Sequence, residues 1–245
     1  MRSVLVTGGS RGIGRAVVRA FAAAGDRVAI HHRSSADLAE KLRAELPGSG
    51  HVVVSGDVAD PAAVRRFVDA AAQALGGLDV VVNNAAVFAR HPITETSYEE
   101  WQEAWRHTLA VNLLGPANVA WCAVRHLRPG GRIVNVSSRG AFRGEPKQPG
   151  YGASKAGLNA LTQSLALALG PLGIAVTAVA PGYVETDMAS QDLKAARGDE
   201  IRAQSPFNRV AQPEEIAAAV RYLASPEAEW ASGTILDLNG ASYLR

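Results

Sequence analysis

Cysteine is almost absent from this sequence, since Cys122 is the one cysteine among 245 residues. No disulfide can form within the chain, which excludes a secreted scaffold held together by disulfides. Long hydrophobic runs are lacking too, because no stretch reaches the ~18 apolar residues of a membrane span. Only four apolar or small residues follow Met1-Arg2-Ser3 before the first glycine, fewer than the apolar core of a signal peptide needs. We therefore expect a cytoplasmic location.

The sequence also lacks an excess of charge of either sign. Its formal net charge is +2, and no run of five or more basic residues occurs. Proteins that bind nucleic acids or anionic surfaces usually carry concentrated positive charge. We therefore expect neither a nucleic acid nor a membrane as a partner.

Short valine-rich runs alternate with helical patterns along the whole chain. The runs show no polar alternation, which is typical of strands buried on both faces of a parallel sheet. No linker or repeat interrupts them, so we predict one doubly wound, Rossmann-type α/β domain over residues 1–245. It has a seven-stranded parallel sheet, helices on both faces and its ligand at the carboxyl ends of the strands. The predicted strands are residues 4–6, 28–30, 52–54, 80–82, 133–136, 175–180 and 235–238, and the predicted helices are residues 15–24, 36–46, 61–75, 98–127, 152–169 and 213–223.

A glycine-rich turn joins the first strand to the first helix. It reads Thr7-Gly8-Gly9-Ser10-Arg11-Gly12-Ile13-Gly14. Such a turn lets a pyrophosphate approach the backbone N–H groups at a helix N-terminus. The spacing of Gly8, Gly12 and Gly14 differs from the G-x-G-x-x-G dinucleotide fingerprint. A tight turn without a ligand is therefore the alternative interpretation.

The end of the second strand is where a dinucleotide site distinguishes its cofactor. An acidic residue there would accept a hydrogen bond from the ribose of NAD, but the chain has His31-His32-Arg33-Ser34 and no acid. Arg33 can pair with a 2′-phosphate in bidentate fashion, Arg11 can approach from the glycine turn, and Ser34 supplies a hydroxyl. The pattern favours NADP(H), with a solvated loop charge as the alternative for Arg33.

Polar residues also follow the third and fourth strands. Gly56-Asp57-Val58 ends the third strand, where the Asp57 carboxylate can accept from an adenine amino group or serve as a turn residue. Asn83-Asn84-Ala85-Ala86 ends the fourth strand. We expect its amides to hold the loop backbone, while the small alanines let a cofactor come close.

Tyr151 and Lys155 lie four residues apart at the start of a predicted helix, and therefore on one helix face. The pKa of a phenol is ~10, and a nearby ammonium lowers it towards the range in which a general acid works best. The pair alone is a weak signal, because a half-buried tyrosine beside a solvated lysine would show the same spacing. Its context strengthens the interpretation, since Ser138 ends the fifth strand and can hold a substrate oxygen beside the phenol.

Asn112 lies in an apolar stretch in the middle of the predicted helix 98–127. A buried asparagine needs hydrogen-bond partners. A local backbone bond would satisfy it, or its side chain can hold a water that carries protons from Lys155.

Taken in this order, the motifs resemble those of the classical short-chain dehydrogenase/reductases over essentially the whole chain. The resemblance implies a nicotinamide-dependent oxidoreductase whose catalytic tetrad is Asn112, Ser138, Tyr151 and Lys155. In that tetrad Tyr151 donates the proton during reduction and Ser138 orients the carbonyl. Lys155 also holds the nicotinamide ribose, and Asn112 holds a proton-relay water. The matching segments are Thr7-Gly8 with Gly12 and Gly14, Asp57, Asn83-Asn84-Ala85, Asn112, Ser138, Tyr151, Lys155, Pro181-Gly182 and Thr186-Asp187-Met188.

The resemblance also implies the remainder of the cofactor site. Backbone near Val184 and the Thr186 hydroxyl would meet the nicotinamide amide and the phosphates, and residues 185–209 would form a mobile substrate lid. No metal is expected. The predicted NADP(H)-binding residues are Gly8, Ser10, Arg11, Gly12, Ile13, Gly14, Arg33, Ser34, Asp57, Val58, Asn84, Ala85, Tyr151, Lys155, Pro181, Gly182, Val184 and Thr186.

Within the family, the chain most resembles the 3-oxoacyl-[acyl-carrier-protein] reductases. The glycine turn, the K-A-G-L sequence from Lys155 and the P-G-Y-V-E-T-D-M sequence from Pro181 carry this likeness. The implied partner is a small-molecule or acyl-thioester carbonyl compound. An acidic carrier protein would need a basic rim, and the residues that can supply one are Arg125, His126, Arg128 and Arg132.

Several residues depart from the pattern of that group. Pro171-Leu172-Gly173 is apolar where such reductases often carry a basic residue, and Ala86 replaces the usual glycine of the fourth-strand motif. The loop before Tyr151 is unusually charged, with Arg143, Glu145 and Lys147. A free ketone, a polyketide or a sugar-like alcohol therefore stands as the alternative substrate.

A redox-sensing protein that binds NADP(H) without turnover is the alternative from another functional class. Sensors of this kind usually lose the tyrosine or the lysine, whereas all four tetrad positions are present here. The closing sequence Asp237-Leu238-Asn239-Gly240 resembles a family strand that often packs across a tetramer interface. A homotetramer, or else a homodimer, is therefore expected.

Overall fold

A seven-stranded, wholly parallel sheet forms the centre of the computed structural model, which describes residues 1–187, 189–194 and 197–245. Its strand order is β3-β2-β1-β4-β5-β6-β7, so the order reverses between β1 and β4. All seven predicted strands and the doubly wound fold are thereby confirmed. The strands are β1 (Ser3–Val6), β2 (Arg27–His32), β3 (Val52–Ser55), β4 (Leu78–Asn83), β5 (Leu127–Val136), β6 (Ala175–Pro181) and β7 (Ile235–Leu238).

Ten α-helices are found within the described residues, and they cover both faces of the sheet. Seven of them overlap the predicted helices, whereas α6, α8 and α9 are short and lie where the sequence suggests loops. They are α1 (Gly12–Ala23), α2 (Ala36–Glu45), α3 (Pro61–Leu75), α4 (Tyr98–Leu109), α5 (Gly115–Ala123), α6 (Gly140–Arg143), α7 (Pro149–Leu169), α8 (Ser190–Lys194), α9 (Gly198–Ala203) and α10 (Pro213–Leu223). No helix of this described part is long and apolar enough to cross a membrane.

The central strands are mainly apolar because both of their faces are buried under helices. Along β1, Val4 and Val6 belong to the core cluster that contains Phe21 of α1, whereas Leu5 belongs to the cluster that contains Phe67 of α3. Alternate residues of a strand point to opposite faces. This arrangement explains why the central strands read as uninterrupted hydrophobic runs.

Helix α3 begins and ends where the sequence predicts. The Asp60 side chain accepts a hydrogen bond from the Ala62 N–H at 2.9 Å, and Pro61 occupies the first position of the helix. Gly76 closes the helix in the left-handed conformation, with a φ of 72°. These signals act locally, and for that reason they can be recognised without knowing the tertiary structure.

The predicted helix over 98–127 is wrong as a single element. It divides into α4, a π-helical turn over Ala110–Leu114, and α5, while Leu127 already belongs to β5. Within the turn, the Gly115 N–H donates to the Ala110 carbonyl five residues back. Pro116 has no N–H, so the Asn112 carbonyl cannot receive the bond that an α-helix would supply from that position. The proline therefore accounts for the widened turn.

Candidate active site

A cavity of about 650 Å³ opens at the carboxyl ends of β1, β4, β5 and β6. It lies on both sides of the point where the strand order reverses, which is the usual ligand position in doubly wound sheets. Of the predicted site residues, only Gly14 and Asn112 are not part of its lining. Those that line it are Gly8, Ser10, Arg11, Gly12, Ile13, Arg33, Ser34, Asp57, Val58, Asn84, Ala85, Ser138, Tyr151, Lys155, Pro181, Gly182, Val184 and Thr186.

The glycine turn has a shape that larger residues could not adopt. Gly8 and Gly12 have φ values of 63° and 47°, in the left-handed region that favours glycine. A Cβ on Gly14 would lie 2.2 Å from the Gly8 carbonyl oxygen. Gly14 therefore serves the close packing of α1 against the turn and does not face the cavity. The Asn84 amide donates to the carbonyls of Thr7 and Gly8, at 3.0 and 3.1 Å, and fixes the turn from the other side.

His31 supports the same turn, a role that the sequence analysis did not foresee. Its Nδ1 accepts a hydrogen bond from the Gly8 N–H at 3.1 Å, so its Nε2, 3.0 Å from the Gly56 carbonyl oxygen, carries the proton. The ring packs on Phe67 with centroids 4.3 Å apart. Burial lowers the pKa of His31 to about 4, which keeps the ring neutral. The available signal was an imidazole in an otherwise apolar strand.

Two arginines flank one end of the cavity, as the NADP(H) prediction requires. Arg33 is 57% exposed, and its Nη1 lies 3.9 Å from Asp57 Oδ2. Arg11 donates to the Ser35 hydroxyl at 2.6 Å. The Asp57 Oδ1 accepts from the Ala59 N–H at 2.9 Å, so Asp57 does act as a turn residue. Its contact with an adenine stays a prediction.

Ser138, Tyr151 and Lys155 meet at the opposite end of the cavity. Ser138 follows β5, Tyr151 lies in the first turn of α7, and the Lys155 Nζ is 5.7 Å from the centre of the Tyr151 ring. The Ser138 hydroxyl is within hydrogen-bonding reach of the phenol. Phe88 contacts the tyrosine edge-on, with centroids 4.7 Å apart. The structure therefore brings these three predicted residues together.

The expectation that Lys155 lowers the pKa of Tyr151 is wrong for this structure. Burial raises the pKa of Tyr151 to about 12, and the hydrogen bond from Ser138 only partly offsets that effect. The Lys155 ammonium donates to the Val136 carbonyl at 2.7 Å instead of to the phenol, and burial lowers the pKa of Lys155 to about 8. Desolvation is the largest cause of both shifts and favours the neutral form of each group.

The Asn112 side chain holds backbone, which was the simpler of the two interpretations considered for it. Its Oδ1 accepts from the Val87 N–H at 2.9 Å, and its Nδ2 donates to the Val87 carbonyl at 3.0 Å and to Ser154 Oγ at 3.2 Å. The amide therefore ties the loop after β4 to α7. It lies outside the cavity, in the π-helical turn. A relay water at Asn112 stays a prediction.

The segment predicted to be a lid, residues 185–209, contains α8 and α9 and borders the cavity at Thr186, Asp187 and Ala189. The side-chain Oε1 of Gln204, just after α9, accepts from Arg139 at 2.9 Å and from Arg143 at 3.2 Å. Arg139 also donates to the Ser242 hydroxyl. Met188 of the predicted T-D-M segment, and Ala195 and Ala196 of the predicted lid, lie outside the described residues.

The basic rim proposed from the sequence is wrong. The four residues lie at the amino end of β5 or just before it, whereas Ser138 follows its carboxyl end. They are engaged with protein groups: Arg125 with the Trp121 ring and carbonyl, His126 with Asp69, Arg128 with Asp79 and Arg132 with Glu229. The error arose because closeness in sequence does not indicate which end of a parallel sheet a residue occupies.

The doubly wound sheet, the glycine turn and the Ser–Tyr–Lys group together define a dinucleotide-binding oxidoreductase. A family model described as enoyl-(acyl carrier protein) reductase matches residues 8–240. A solved short-chain dehydrogenase from Burkholderia cenocepacia in complex with NADP is 38% identical, with a TM-score of 0.90, over 98% of this chain and 97% of that one. The chain belongs to the short-chain dehydrogenase/reductase family.

Curated relatives of similar identity carry different names. Versicolorin reductase stcU of Emericella nidulans is 36% identical over 98% of this chain and 94% of its own. The 3-oxoacyl-[acyl-carrier-protein] reductase FabG of Staphylococcus aureus is 34% identical over 99% and 98%. An uncharacterized short-chain type dehydrogenase/reductase, y4vI of Sinorhizobium fredii, is 40% identical, and the chain spans 43% of its length. These names agree on the family and differ in substrate.

Proposed function

We propose that the protein is an NADPH-dependent carbonyl reductase in which Tyr151 protonates the substrate oxygen. The observation that supports this best is the Ser138–Tyr151–Lys155 group at one end of the cavity, with two arginines at the other end. The cavity therefore offers a place for chemistry and a place for a phosphate, as the reaction requires. The NADP-bound relative of 38% identity supports the same cofactor.

The residues present fit a dinucleotide. The start of α1 borders the cavity at Gly12 and Ile13, where the backbone N–H groups of a helix N-terminus can bind a pyrophosphate. Arg33 and Arg11, with Ser34, would hold the 2′-phosphate, and the residues around Pro181 and Thr186 would border the nicotinamide. When bound, the cofactor supplies the hydride that reduces the carbonyl carbon.

The electrostatics of the site suit proton donation. With its pKa at about 12, Tyr151 is fully protonated at neutral pH and holds the proton that a reduced carbonyl needs. Ser138 would share the substrate oxygen with the phenol and orient it. Lys155, whose pKa is about 8, is mostly charged at neutral pH. Its positive charge stabilises the phenolate that forms when Tyr151 gives up its proton. At neutral pH the site therefore already holds the proton that reduction of a carbonyl consumes.

We further propose a free ketone as the substrate, in preference to a 3-oxoacyl group on a carrier protein. The basic residues considered for carrier docking lie at the wrong end of β5 and are paired. The entrance of the cavity near Tyr151 is instead bordered by Arg139, Glu145 and Tyr183. The names of relatives at similar identity, a versicolorin reductase and FabG, support either class.

The experiment follows the loss of NADPH absorbance with a panel of ketones that includes a 3-oxoacyl thioester. We expect turnover with at least one ketone, and we expect Tyr151→Phe to abolish turnover while NADPH binding is retained. Tyr98→Phe, on the exposed start of α4, is the matched control and should keep full activity. Tight NADPH binding without oxidation by any ketone would indicate the redox-sensing alternative, and full activity of Tyr151→Phe would refute the assignment of the proton donor.

A homotetramer or homodimer is proposed for the assembled protein. Leu114 and Trp121 on the outer face of α5 are each more than half exposed, and β7 is an edge strand. Exposed apolar side chains and open strand edges are features that self-association covers. Light scattering coupled to size-exclusion chromatography measures the state directly, and a monomer at micromolar concentration would contradict the proposal.

A further inference from the structure

A carboxylate lies in the active-site cavity without a role in the proton transfer described above. Glu145 belongs to the loop between α6 and α7, and its side chain is 14% exposed. It borders the same cavity as Ser138 and Tyr151. Its charge contributes to the raised pKa of Tyr151, which places it within electrostatic range of the phenol. Carboxylates are rarely this buried unless they have a partner.

Two glycines leave space for this side chain. A Cβ on Gly140 would lie 2.7 Å from Glu145 Oε1 and 2.8 Å from its Cγ. A Cβ on Gly152 of α7 would approach the Glu145 backbone nitrogen at 3.6 Å and its Cβ at 3.8 Å. Glu145 is therefore seated between α6 and α7 by the shape of the backbone, with its carboxylate against the wall of the cavity.

The carboxylate is held only loosely by the side chains that the structure describes, those of residues 1–187, 189–190, 193–194 and 197–245. Its ion-pair contact, from Arg143 Nε to Oε1, is 3.9 Å long and exceeds hydrogen-bond distance. Burial raises the pKa of Glu145, and the charges of Arg143, Arg139 and Arg197 only partly offset that effect. Because Glu145 borders the cavity, a donor on a molecule bound there can reach its carboxylate.

The surrounding charges limit what that donor can be. Arg139, Arg143 and Arg197 all act electrostatically on Glu145, so the region is already positive. A substrate ammonium would be repelled by them. A neutral hydroxyl can donate to the carboxylate without adding charge, and it can reach an acceptor that lies beside the reacting carbonyl.

We propose that Glu145 accepts a hydrogen bond from a hydroxyl group of the substrate, so that the preferred substrates are hydroxyketones. This inference rests on the proposed carbonyl reductase function and specifies its substrate class. Glu145 is then a specificity-determining residue. The hydroxyl lies on the face of the substrate that points towards α6, while the carbonyl oxygen lies between Ser138 and Tyr151.

The test compares each ketone with the same ketone carrying a hydroxyl one, two or three carbons from the carbonyl. Cyclohexanone and its 2-, 3- and 4-hydroxy derivatives form one such series. For the wild type, we expect kcat/KM to be roughly 10- to 100-fold higher for at least one hydroxylated member, the range of a hydrogen bond to a charged group. Glu145→Leu should lose this preference, measured as the ratio of kcat/KM for each hydroxylated ketone to kcat/KM for cyclohexanone with the same variant.

Two further variants distinguish loss of the hydrogen-bond acceptor from loss of the negative charge. Glu145→Gln retains an acceptor without the charge and should keep part of the preference. Glu103→Gln, on the exposed surface of α4, is the matched control and should behave as the wild type. NADPH binding, followed by fluorescence, verifies that each variant is folded with an intact cofactor site.

Two results would overturn the inference while leaving the reductase function intact. One is equal kcat/KM for every member of the series with the wild type, and the other is an undiminished preference in Glu145→Leu. A wild type that oxidises NADPH with no ketone at all would overturn both proposals together.

Discussion

Acid should destabilise this protein through one buried imidazole. His31 is 1% exposed, and burial lowers its pKa from 6.5 to about 4. The unfolded chain therefore binds a proton at a higher pH than the folded chain does. Stability contributed by neutral His31 is fully present above pH 6.5 and is lost as the pH falls towards 4. The difference between the two pKa values corresponds to about 3 kcal/mol.

Most of that loss of stability occurs between pH 7 and pH 5, a range in which denaturation can be measured. Between pH 7 and pH 5 we expect the free energy of unfolding to decrease by about 2 kcal/mol on account of His31. The mechanism is specific: a protonated ring can no longer accept the Gly8 N–H at Nδ1. The lost hydrogen bond would also loosen the glycine turn, so cofactor binding should weaken over the same interval.

Urea denaturation at both pH values, at a fixed protein concentration and followed by tryptophan fluorescence, measures this decrease. The His31→Gln variant does not titrate, and its amide can replace one or both ring contacts. Its own loss between pH 7 and pH 5 should be smaller than that of the wild type by about 2 kcal/mol. His107→Gln in α4 serves as the control. Equal losses in the wild type and in His31→Gln would refute the reasoning.

Three other predictions address the cofactor site and the proton donor. The kcat/KM for NADPH reports the ionisation of the free enzyme. We expect it to decrease as the pH rises through about 8, because Lys155 loses its charge there. The Lys155→Arg variant should not show this decrease. Arg33→Ala should lower kcat/KM for NADPH by about tenfold or more and leave NADH nearly unaffected, whereas Arg66→Ala on α3 should change neither. An unchanged cofactor preference would remove Arg33 from the phosphate site. Gly14→Ala should lower stability by about 2 kcal/mol or more, because its Cβ would meet the Gly8 carbonyl, while Gly170→Ala meets nothing and should be tolerated. Equal melting temperatures for these two variants would contradict the packing argument.

The features predictable from the sequence are those set by local pattern. Strands buried on both faces are uniformly apolar, so β1 and β4 could be recognised without knowledge of their neighbours. The cap of α3 depends on Asp60, Pro61 and Gly76, which are all part of the helix or adjacent to it. The four-residue spacing of Tyr151 and Lys155 likewise holds in any helix. These interpretations needed no tertiary information.

The features that were missed depend on residues that are distant in the chain. His31 meets Gly8 and Gly56, which lie 23 and 25 residues away, just beyond the ends of the neighbouring strands β1 and β3. The raised pKa of Tyr151 arises from burial, which a helix-face argument does not contain. The π-helical turn had a local signal in Pro116, but the apolar continuity of residues 98–127 concealed it. Only the assembled sheet shows that Arg125 and Arg128 lie far from Ser138.

The reversal of strand order between β1 and β4 has a consequence for how such an enzyme can diverge. Arg11 and Arg33, which face the proposed phosphate, are carried by the first two strand–helix units, whereas Glu145 and Tyr151 are carried by the region between β5 and α7. On the roles proposed for these residues, cofactor preference and substrate preference are encoded in separate stretches of the gene. Substitutions in the two stretches should combine additively. Natural or engineered substitutions can therefore change the cofactor preference while the substrate preference is retained, and the reverse.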